Sequence, residues 1–169
     1  MSGTRTSILA LGGIVLFLTA VHIIGQSSGS AIAAGAGDSA AGGNMSKLSV
    51  TLGTTTILAV VADTDPLRAK GLLGWSVIGE GTGMLLDFIR PGKYAIHMEG
   101  MKFPIDGVWI DDKGEIKLIY EGIMPNQGLN YPSLFPCRYC LELKAGFCKK
   151  YGVKMGERVV FGRSSPSDK

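Results

Sequence analysis

The chain has 169 residues, which is room for one domain of ordinary size. Its formal net charge is +3, and the charged residues are scattered without a basic stripe, so we expect no nucleic-acid partner. Glycine is abundant, at 25 residues, but much of it lies near the N-terminus beside alanine and serine and follows no collagen-like period. These properties exclude a two-domain protein, a basic nucleic-acid binder and a fibrous protein.

The N-terminal segment, residues 1–24, contains an uncharged apolar run from residue 8 to residue 24. As an α-helix this run would be roughly 26 Å long, close to the roughly 30 Å hydrocarbon core of a bilayer. Arg5 precedes the run, and no lysine or arginine follows it before Lys47. The positive-inside rule then places the N-terminus in the cytoplasm. The sequence therefore predicts one N-terminal transmembrane helix and a single-pass membrane protein with an extracytoplasmic domain.

A cleaved secretory signal is the alternative for the same segment, because small residues near Ala33 are typical of a cleavage site. Cleavage there would release a secreted protein. We favour a retained anchor because the apolar run is longer than the roughly 7–15 residues of a signal core. Residues 25–46 are interpreted as a flexible linker, and the polar tail 163–169 is predicted to be disordered.

The domain itself, residues 47–162, shows many short strand patterns. Period-two alternation and β-branched runs predict hairpins at 48–52 with 57–62, at 84–89 with 94–98 and at 105–110 with 116–120, followed by strands at 139–143 and 159–161. This pattern predicts a β-rich α+β fold, a compact barrel-like antiparallel sheet with one or two short helices.

Two helices are predicted between these strands. The first covers residues 67–73, with Thr64 or Asp65 as its N-cap, and stops near Gly74. The second is one helical turn over residues 146–151, and it ends at the glycine that follows.

The order of several sequence blocks between residues 49 and 161 resembles one protein family. The blocks are Val61 to Thr64, Arg68 to Gly74, Gly83 to Phe88, Ile96 to Met98, Met101 to Asp106, Trp109 to Asp111, Tyr139 to Leu143, Ala145-Gly146, Gly152-Val153 and Gly156 to Val159. In this order they resemble the domain-of-unknown-function family 192. The resemblance implies a compact β-rich fold and frequent export or membrane anchoring, and it implies no established activity. Gly100 and Gly107, where bulkier residues are common, and the three cysteines depart from the family pattern.

An acid–base site formed by Asp106, His97 and Glu99 is one candidate chemistry. Asp106 enters a predicted strand after Pro104, and its carboxylate would point opposite to Ile105, toward a pocket. The structural interpretation is favoured. In it, Asp106 accepts backbone N–H bonds at the turn that Pro104 creates, and His97 is a hydrogen-bonded strand residue.

The three cysteines, Cys137, Cys140 and Cys148, offer thiol or metal chemistry. Together with His97 they have the ligand types for zinc, but an exported domain favours disulfides over zinc thiolates. Cys137 and Cys140 on an extended strand would have Cα atoms roughly 10 Å apart, which is too far for a disulfide. We therefore expect Cys148 to pair with Cys137 or Cys140, and we expect no metal or other cofactor.

The sequence contains no nucleophile elbow, no metalloprotease helix and no phosphate-binding glycine loop. The leading expectation is therefore a non-catalytic extracytoplasmic domain, tethered to the lipid bilayer through residues 8–24, that binds a ligand or a partner protein or has a role in the cell envelope. The alternatives are an acid–base enzyme and a thiol or metal protein, with the residues named above.

Overall fold

The computed structural model describes residues 45–162. The strands are β1 Lys47–Leu52, β2 Thr55–Ala62, β3 Thr82–Gly92, β4 Ala95–His97, β5 Ile105–Ile110, β6 Ile116–Ile123, β7 Asn130–Pro132, β8 Cys137–Lys144 and β9 Val159–Phe161, and the helices are α1 Asp65–Lys70 and α2 Phe147–Tyr151. The predicted transmembrane helix, most of the linker and the tail lie outside the described residues. Within 45–162, no helix combines the length and the apolar composition that crossing a membrane requires.

Seven strands form one sheet in the order β6-β5-β8-β3-β2-β1-β9, and β4 pairs with β7 in a separate two-stranded sheet. The large sheet curls until its two edges meet at one end. There the amide of Ile116 donates to the carbonyl of Glu157 at 2.9 Å, and the amide of Val159 donates to the carbonyl of Gly114 at 2.8 Å. The fold is thus a β-rich α+β half-barrel, in agreement with the predicted class.

One feature of the sheet corrects the prediction of a purely antiparallel arrangement. β2 and β3 pair in parallel, with Leu58 opposite Thr82 and Ala62 opposite Leu86. A parallel neighbour requires a crossover connection rather than a tight turn, and α1 with the segment that follows it supplies that crossover.

The predicted hairpins have different outcomes. β1 with β2, and β5 with β6, pair as antiparallel neighbours in the sequence-predicted positions. The hairpin predicted for 84–89 with 94–98 is wrong. β3 continues through Pro91 to Gly92, pairing with β8, and β4 pairs with β7 instead. The register of β3 on β8 shifts between Asp87 and Gly92, and Ile89 within this bulge has a left-handed φ of 68°. The bulge absorbs the irregular backbone without reversing the strand.

Both helices are confirmed with small changes of length. Thr64 is the N-cap of α1, its side chain accepting from the amide of Leu67 at 3.4 Å. α1 ends at Gly71, three residues before the predicted Gly74, because Gly71 adopts a φ of +48° that side-chain-bearing residues avoid. α2 ends at Gly152, as predicted.

Alternating side chains divide the interior into two hydrophobic cores on opposite faces of the sheet. The first core lies against α2 and includes Val108, Leu141, Leu143 and Phe147. The second core lies under the α1 crossover and includes residues of the opposite parity, such as Trp109 and Cys140. The central strands β5 and β8 are therefore covered on both faces, which matters for any polar side chain that they carry.

Candidate functional site

A pocket of about 430 Å³ opens beside the second core. Its walls come from α1 and the turn after it, from β3, and from the strand β4 with the residues around it. The lining residues are Asp65, Arg68, Ala69, Lys70, Gly71, Leu72, Leu73, Leu86, Phe88, Tyr94, Ala95, Ile96, His97, Met98, Glu99, Met101 and Glu142. The volume lies within the range of roughly 300–1,000 Å³ that is typical of small-molecule sites, and the lining combines apolar walls with a few polar groups.

Arg68 forms one wall of the pocket and is held from both sides. Its guanidinium donates to the carboxylate of Asp65 on α1 and to the backbone carbonyl of Asp87 on β3. The same group lies over the ring of Phe88, 5.5 Å from the centroid. These contacts occupy the guanidinium of Arg68 and partly neutralise its charge. Arg68 therefore links α1 to β3 and is not free to bind an anion.

Glu142, on β8, is the one lining residue that is both acidic and buried, with 6% of its surface exposed. Among the described residues, its Oε2 atom has no hydrogen-bond partner. Burial raises the pKa of this carboxyl to about 7, since ionisation would place a charge in a poorly solvated environment. Glu142 therefore changes protonation state in the neutral range, where an ordinary glutamate is fully ionised.

The strands on either side of Glu142 explain why its carboxyl lacks a partner. Opposite it lie Met84 on β3 and Gly107 on β5, and neither has a side chain that can donate a hydrogen bond. The other buried side-chain atom without a partner within 45–162 is Nε1 of Trp109, on the same face of the sheet. Buried polar groups are satisfied in most proteins, so the unpaired carboxyl oxygen of Glu142, a residue that lines the pocket, indicates a place where something else supplies the bond.

The turn after α1 brings a second acceptor to Glu142. A Cβ atom built on Gly71 would lie 3.7 Å from the carbonyl oxygen of Arg68 and 3.9 Å from Oε2 of Glu142. The amides of Gly71 and Leu73 donate to the carbonyls of Leu67 and Lys70, and neither bond uses the carbonyl of Arg68. Two acceptor oxygens thus border the space over Gly71 that a side chain would otherwise fill.

The structure separates the acid–base residues that the sequence grouped. His97 and Glu99 are exposed and line the pocket, whereas Asp106 is fully buried on the face of the first core. The carboxylate of Asp106 accepts from the amides of Gly122 and Gly146 through Oδ1, at 2.8 and 3.1 Å, and from the amide of Cys148 through Oδ2, at 2.9 Å. Asp106 thus accepts backbone N–H bonds, although from β6 and the start of α2 and not from the turn at Pro104, and it cannot join His97 in one site.

The cysteines also differ from their expected arrangement. All three are free and buried. Cys148 packs in the first core while Cys137 and Cys140 pack in the second, so the sheet lies between the thiols that the predicted disulfide would join. Burial raises the pKa of Cys137 to about 11 and shifts the pKa values of Cys140 and Cys148 upward as well. Among residues 45–162, no three His, Cys, Asp or Glu side chains are grouped closely enough to hold a metal ion, so the zinc set of the cysteines with His97 is not assembled.

Glu142 is the site residue that sequence reasoning missed. It lies between Leu141 and Leu143, and alternation with these core residues predicts that its side chain faces solvent. The prediction fails because β8 is a central strand with both faces covered. Sequence reasoning predicted the helix but paired β3 with β4, so it did not place β8 beside β3 under that helix. The sequence contained one indication that this face of β8 is buried, namely Cys140, an apolar residue on the same face two positions before Glu142.

The chain matches a family sequence model described as DUF192, Uncharacterized ACR, over residues 48–161. The chain belongs to this family. The match covers the whole DUF192 domain from β1 to β9, including α1, β4 and Glu142, and confirms the resemblance found in the sequence. No curated protein matches the chain.

Two solved structures share the fold of the DUF192 domain. One is a protein from Sinorhizobium meliloti 1021 described as a "putative transcription regulator", with a TM-score of 0.69, 28% sequence identity, and coverage of 72% of this chain and 98% of that chain. The other is a protein of unknown function from Novosphingobium aromaticivorans DSM 12444, with a TM-score of 0.62, 22% identity, and coverage of 68% and 83%. Both support the half-barrel architecture.

Proposed function

We propose that the DUF192 domain of this protein is a binding module for a small molecule, and that the pocket over Glu142 is its binding site. The observation that carries the proposal is the carboxyl of Glu142, which is buried, lines the pocket and lacks a hydrogen-bond partner among the described residues. A buried acceptor left unpaired costs roughly 1–3 kcal/mol, and a ligand that donates to it recovers that free energy on binding. Apolar side chains around the acceptor supply the rest of a typical small-molecule site.

The proposal includes the membrane location expected from the sequence. An uncharged run over residues 8–24 after Arg5 and a glycine-, alanine- and serine-rich linker support a domain held outside the cytoplasmic membrane by an N-terminal anchor. A module in that position binds a solute on the outer side of the membrane. The absence of a basic stripe in the sequence supports a solute or protein partner in preference to a nucleic acid.

A fragment library tested on the full-length chain in detergent checks the binding function. We expect compounds that bind the wild type and are lost in the Ala69→Trp variant, because Ala69 is an exposed residue of α1 at the pocket wall. The matched control is Val160→Trp, which adds the same side chain at an exposed position on β9, outside the pocket lining. If the two variants bind every compound alike, the pocket is not a binding site.

An acid–base enzyme is the second candidate, with Glu142 in the place that Asp106 was expected to take. The observation that favours it is the pKa of about 7 at Glu142, a value that suits a proton donor or acceptor near neutral pH, in a pocket that His97 also lines. Mass spectrometry of each bound compound after long incubation tests this role. Turnover that Glu142→Gln abolishes supports an enzyme, and unchanged compounds with undiminished binding support the binding module alone.

A further inference from the structure

The polar groups of the pocket distinguish between classes of ligand. Oε2 of Glu142 and the carbonyl oxygen of Arg68 are the atoms nearest to the space over Gly71, at 3.9 and 3.7 Å from the point that a Cβ would occupy. Both are hydrogen-bond acceptors. A group that satisfies both must carry at least two N–H or O–H donors, and a primary ammonium carries three.

The charges around this space favour a cation. Arg68, a partly buried cation of the pocket wall, already donates to Asp65 and to the carbonyl of Asp87. Beside Gly71, an anionic ligand would therefore meet a partly neutralised Arg68 and the carboxyl of Glu142, and the other lining cation of α1, Lys70, is exposed to solvent. A cation placed beside Glu142 forms a charge-assisted bond with a carboxylate that within the described chain has no other partner.

The apolar walls accommodate the rest of such a ligand. Leu86, Ile96 and Met98 are buried residues that also line the pocket. Phe88 and Tyr94 stack on each other at a centroid distance of 4.0 Å and complete the wall next to Arg68. A volume of about 430 Å³ admits a compound of drug-fragment size and excludes a folded polypeptide.

We propose that the ligand of this pocket is a small organic amine, bound as its ammonium ion between the carboxylate of Glu142 and the carbonyl oxygen of Arg68, with its apolar part against Leu86, Ile96 and Met98. This inference rests on the proposed binding function and names the chemical class of its ligand. The other ionisable groups that face the pocket are Asp65, Arg68 and Lys70 from α1, with Tyr94, His97 and Glu99 from β4 and its flanks.

Three aromatic probes of similar size but different polar group test the proposal on the full-length chain in detergent: benzylamine, benzyl alcohol and benzoate. Calorimetric titration should show that benzylamine binds most tightly of the three. The ammonium ion requires ionised Glu142, whose pKa in the ligand-free protein is about 7. Affinity for benzylamine should therefore rise about tenfold between pH 6 and pH 8, while the affinity for benzyl alcohol changes little.

Two carboxyl variants form a matched pair for this test. Glu142→Gln keeps the shape of the side chain, and it should weaken benzylamine binding at least about tenfold and abolish its pH dependence. Glu121→Gln changes an exposed carboxyl on β6, outside the pocket lining, and should leave both properties near those of the wild type.

The outcomes separate this inference from the function on which it rests. Stronger binding of benzoate or benzyl alcohol, with sensitivity to Ala69→Trp, overturns the amine class and leaves the binding module in place. Benzylamine binding that is equal in Glu142→Gln and wild type also overturns the inference. If no probe binds and the fragment library shows no pocket-dependent compound, both proposals fail.

Discussion

A carboxyl group that is buried without a hydrogen bond makes stability depend on pH, and Glu142 is such a group. Its pKa is raised by burial to about 7 in the folded protein, against an ordinary value of 4.5. Between these two values the folded protein retains a proton that the unfolded chain has lost. The contribution of Glu142 to stability is therefore fully present below about pH 4.5 and is lost as pH rises to about 7.

We expect the Glu142→Gln variant not to lose unfolding free energy at this residue as the pH rises. The wild type should lose about 3 kcal/mol of unfolding free energy at this residue between pH 4.5 and pH 8, whereas the variant should show a correspondingly smaller change. Urea unfolding followed by tryptophan fluorescence, from Trp75 and the buried Trp109, measures both proteins. Glu99→Gln, at an exposed position, is the control and should follow the wild type. Parallel pH profiles of Glu142→Gln and wild type would show that the carboxyl is not buried as described.

Asp106 differs from Glu142 in that its buried carboxylate is fully hydrogen-bonded. It accepts from three backbone amides, those of Gly122, Gly146 and Cys148. Replacing it by asparagine places an N–H₂ group against N–H donors. We expect Asp106→Asn to lower the unfolding free energy by roughly 3–5 kcal/mol, since it removes one partner of a buried charged network. Benzylamine binding by the folded fraction should not change.

The control for this variant is Asp112→Asn, an exposed carboxylate in the turn between β5 and β6. Urea unfolding should show a change within about 0.5 kcal/mol for that variant. A similarly small effect of Asp106→Asn would contradict its structural role and return Asp106 to the candidate catalytic residues.

The cysteines give a prediction that bears on redox state. Thiolates are the reactive form, and burial raises the pKa of Cys137 to about 11 and those of Cys140 and Cys148 as well. A thiol-specific reagent at pH 8 should therefore label the folded protein slowly and label three thiols once the unreduced protein is unfolded. Only one reactive thiol after unfolding, with a peptide that links Cys148 to the 137–140 region, would mean that the predicted disulfide does form in the protein.

At the scale of elements, the β5–β6 turn joins the two edges of the sheet. Gly114 has a φ of +84°, and a Cβ atom there would lie 2.9 Å from the carbonyl oxygen of Val159. We expect Gly114→Ala to destabilise the domain, because it adds backbone strain and forces the turn away from β9.

Gly53, in the β1–β2 turn, provides a matched control for that substitution. Its φ is +56°, and nothing lies within 4 Å of the Cβ position. Gly53→Ala therefore carries the backbone strain without the clash, and Gly114→Ala should cost roughly 1–3 kcal/mol more in thermal or urea unfolding. Equal effects of the two substitutions would show that the contact with β9 does not contribute to stability.

Elements that depend on local signals could be predicted from the sequence. The β5–β6 hairpin follows from a glycine-containing turn between two apolar runs, and the N-cap at Thr64 follows from a hydroxyl residue before Pro66. The pairing of β3 could not be predicted in this way. Its neighbours β2 and β8 are fixed by packing on both faces of the sheet, and a bulge at Ile89 carries the strand past a Pro-Gly pair that is typical of a turn.

The candidate site was predictable only in part, for the same reason. His97 and Glu99 were identified, and they lie at the pocket. Glu142 was not, because its exposure depends on whether β8 is covered on its second face, and that cover comes from the parallel crossover through α1. A period of two reports which residues share a face, but it does not report how many faces are buried.

At the scale of the whole molecule, the two cores contain described residues from Val50 to Val159. We therefore expect a chain that lacks residues 1–44 to fold and to remain in the supernatant after ultracentrifugation, while the full-length chain sediments with membranes. Tryptophan fluorescence and circular dichroism of the two proteins test this division. Aggregation of the shortened chain, with a well-folded full-length chain in detergent, would assign the N-terminal segment to the core.

The pairing of β1 with β9 also has a consequence for the order of events during folding. β1 pairs with β9 through Leu52 and Val159, residues from opposite ends of the domain. Contacts between residues so far apart in sequence must overcome a large loop-closure entropy, and proteins rich in such contacts fold slowly. Until β9 is available, one edge of β1 is unpaired, and an unpaired edge can pair with another chain. A nascent chain therefore carries an aggregation-prone edge on β1 until β9 has been synthesised.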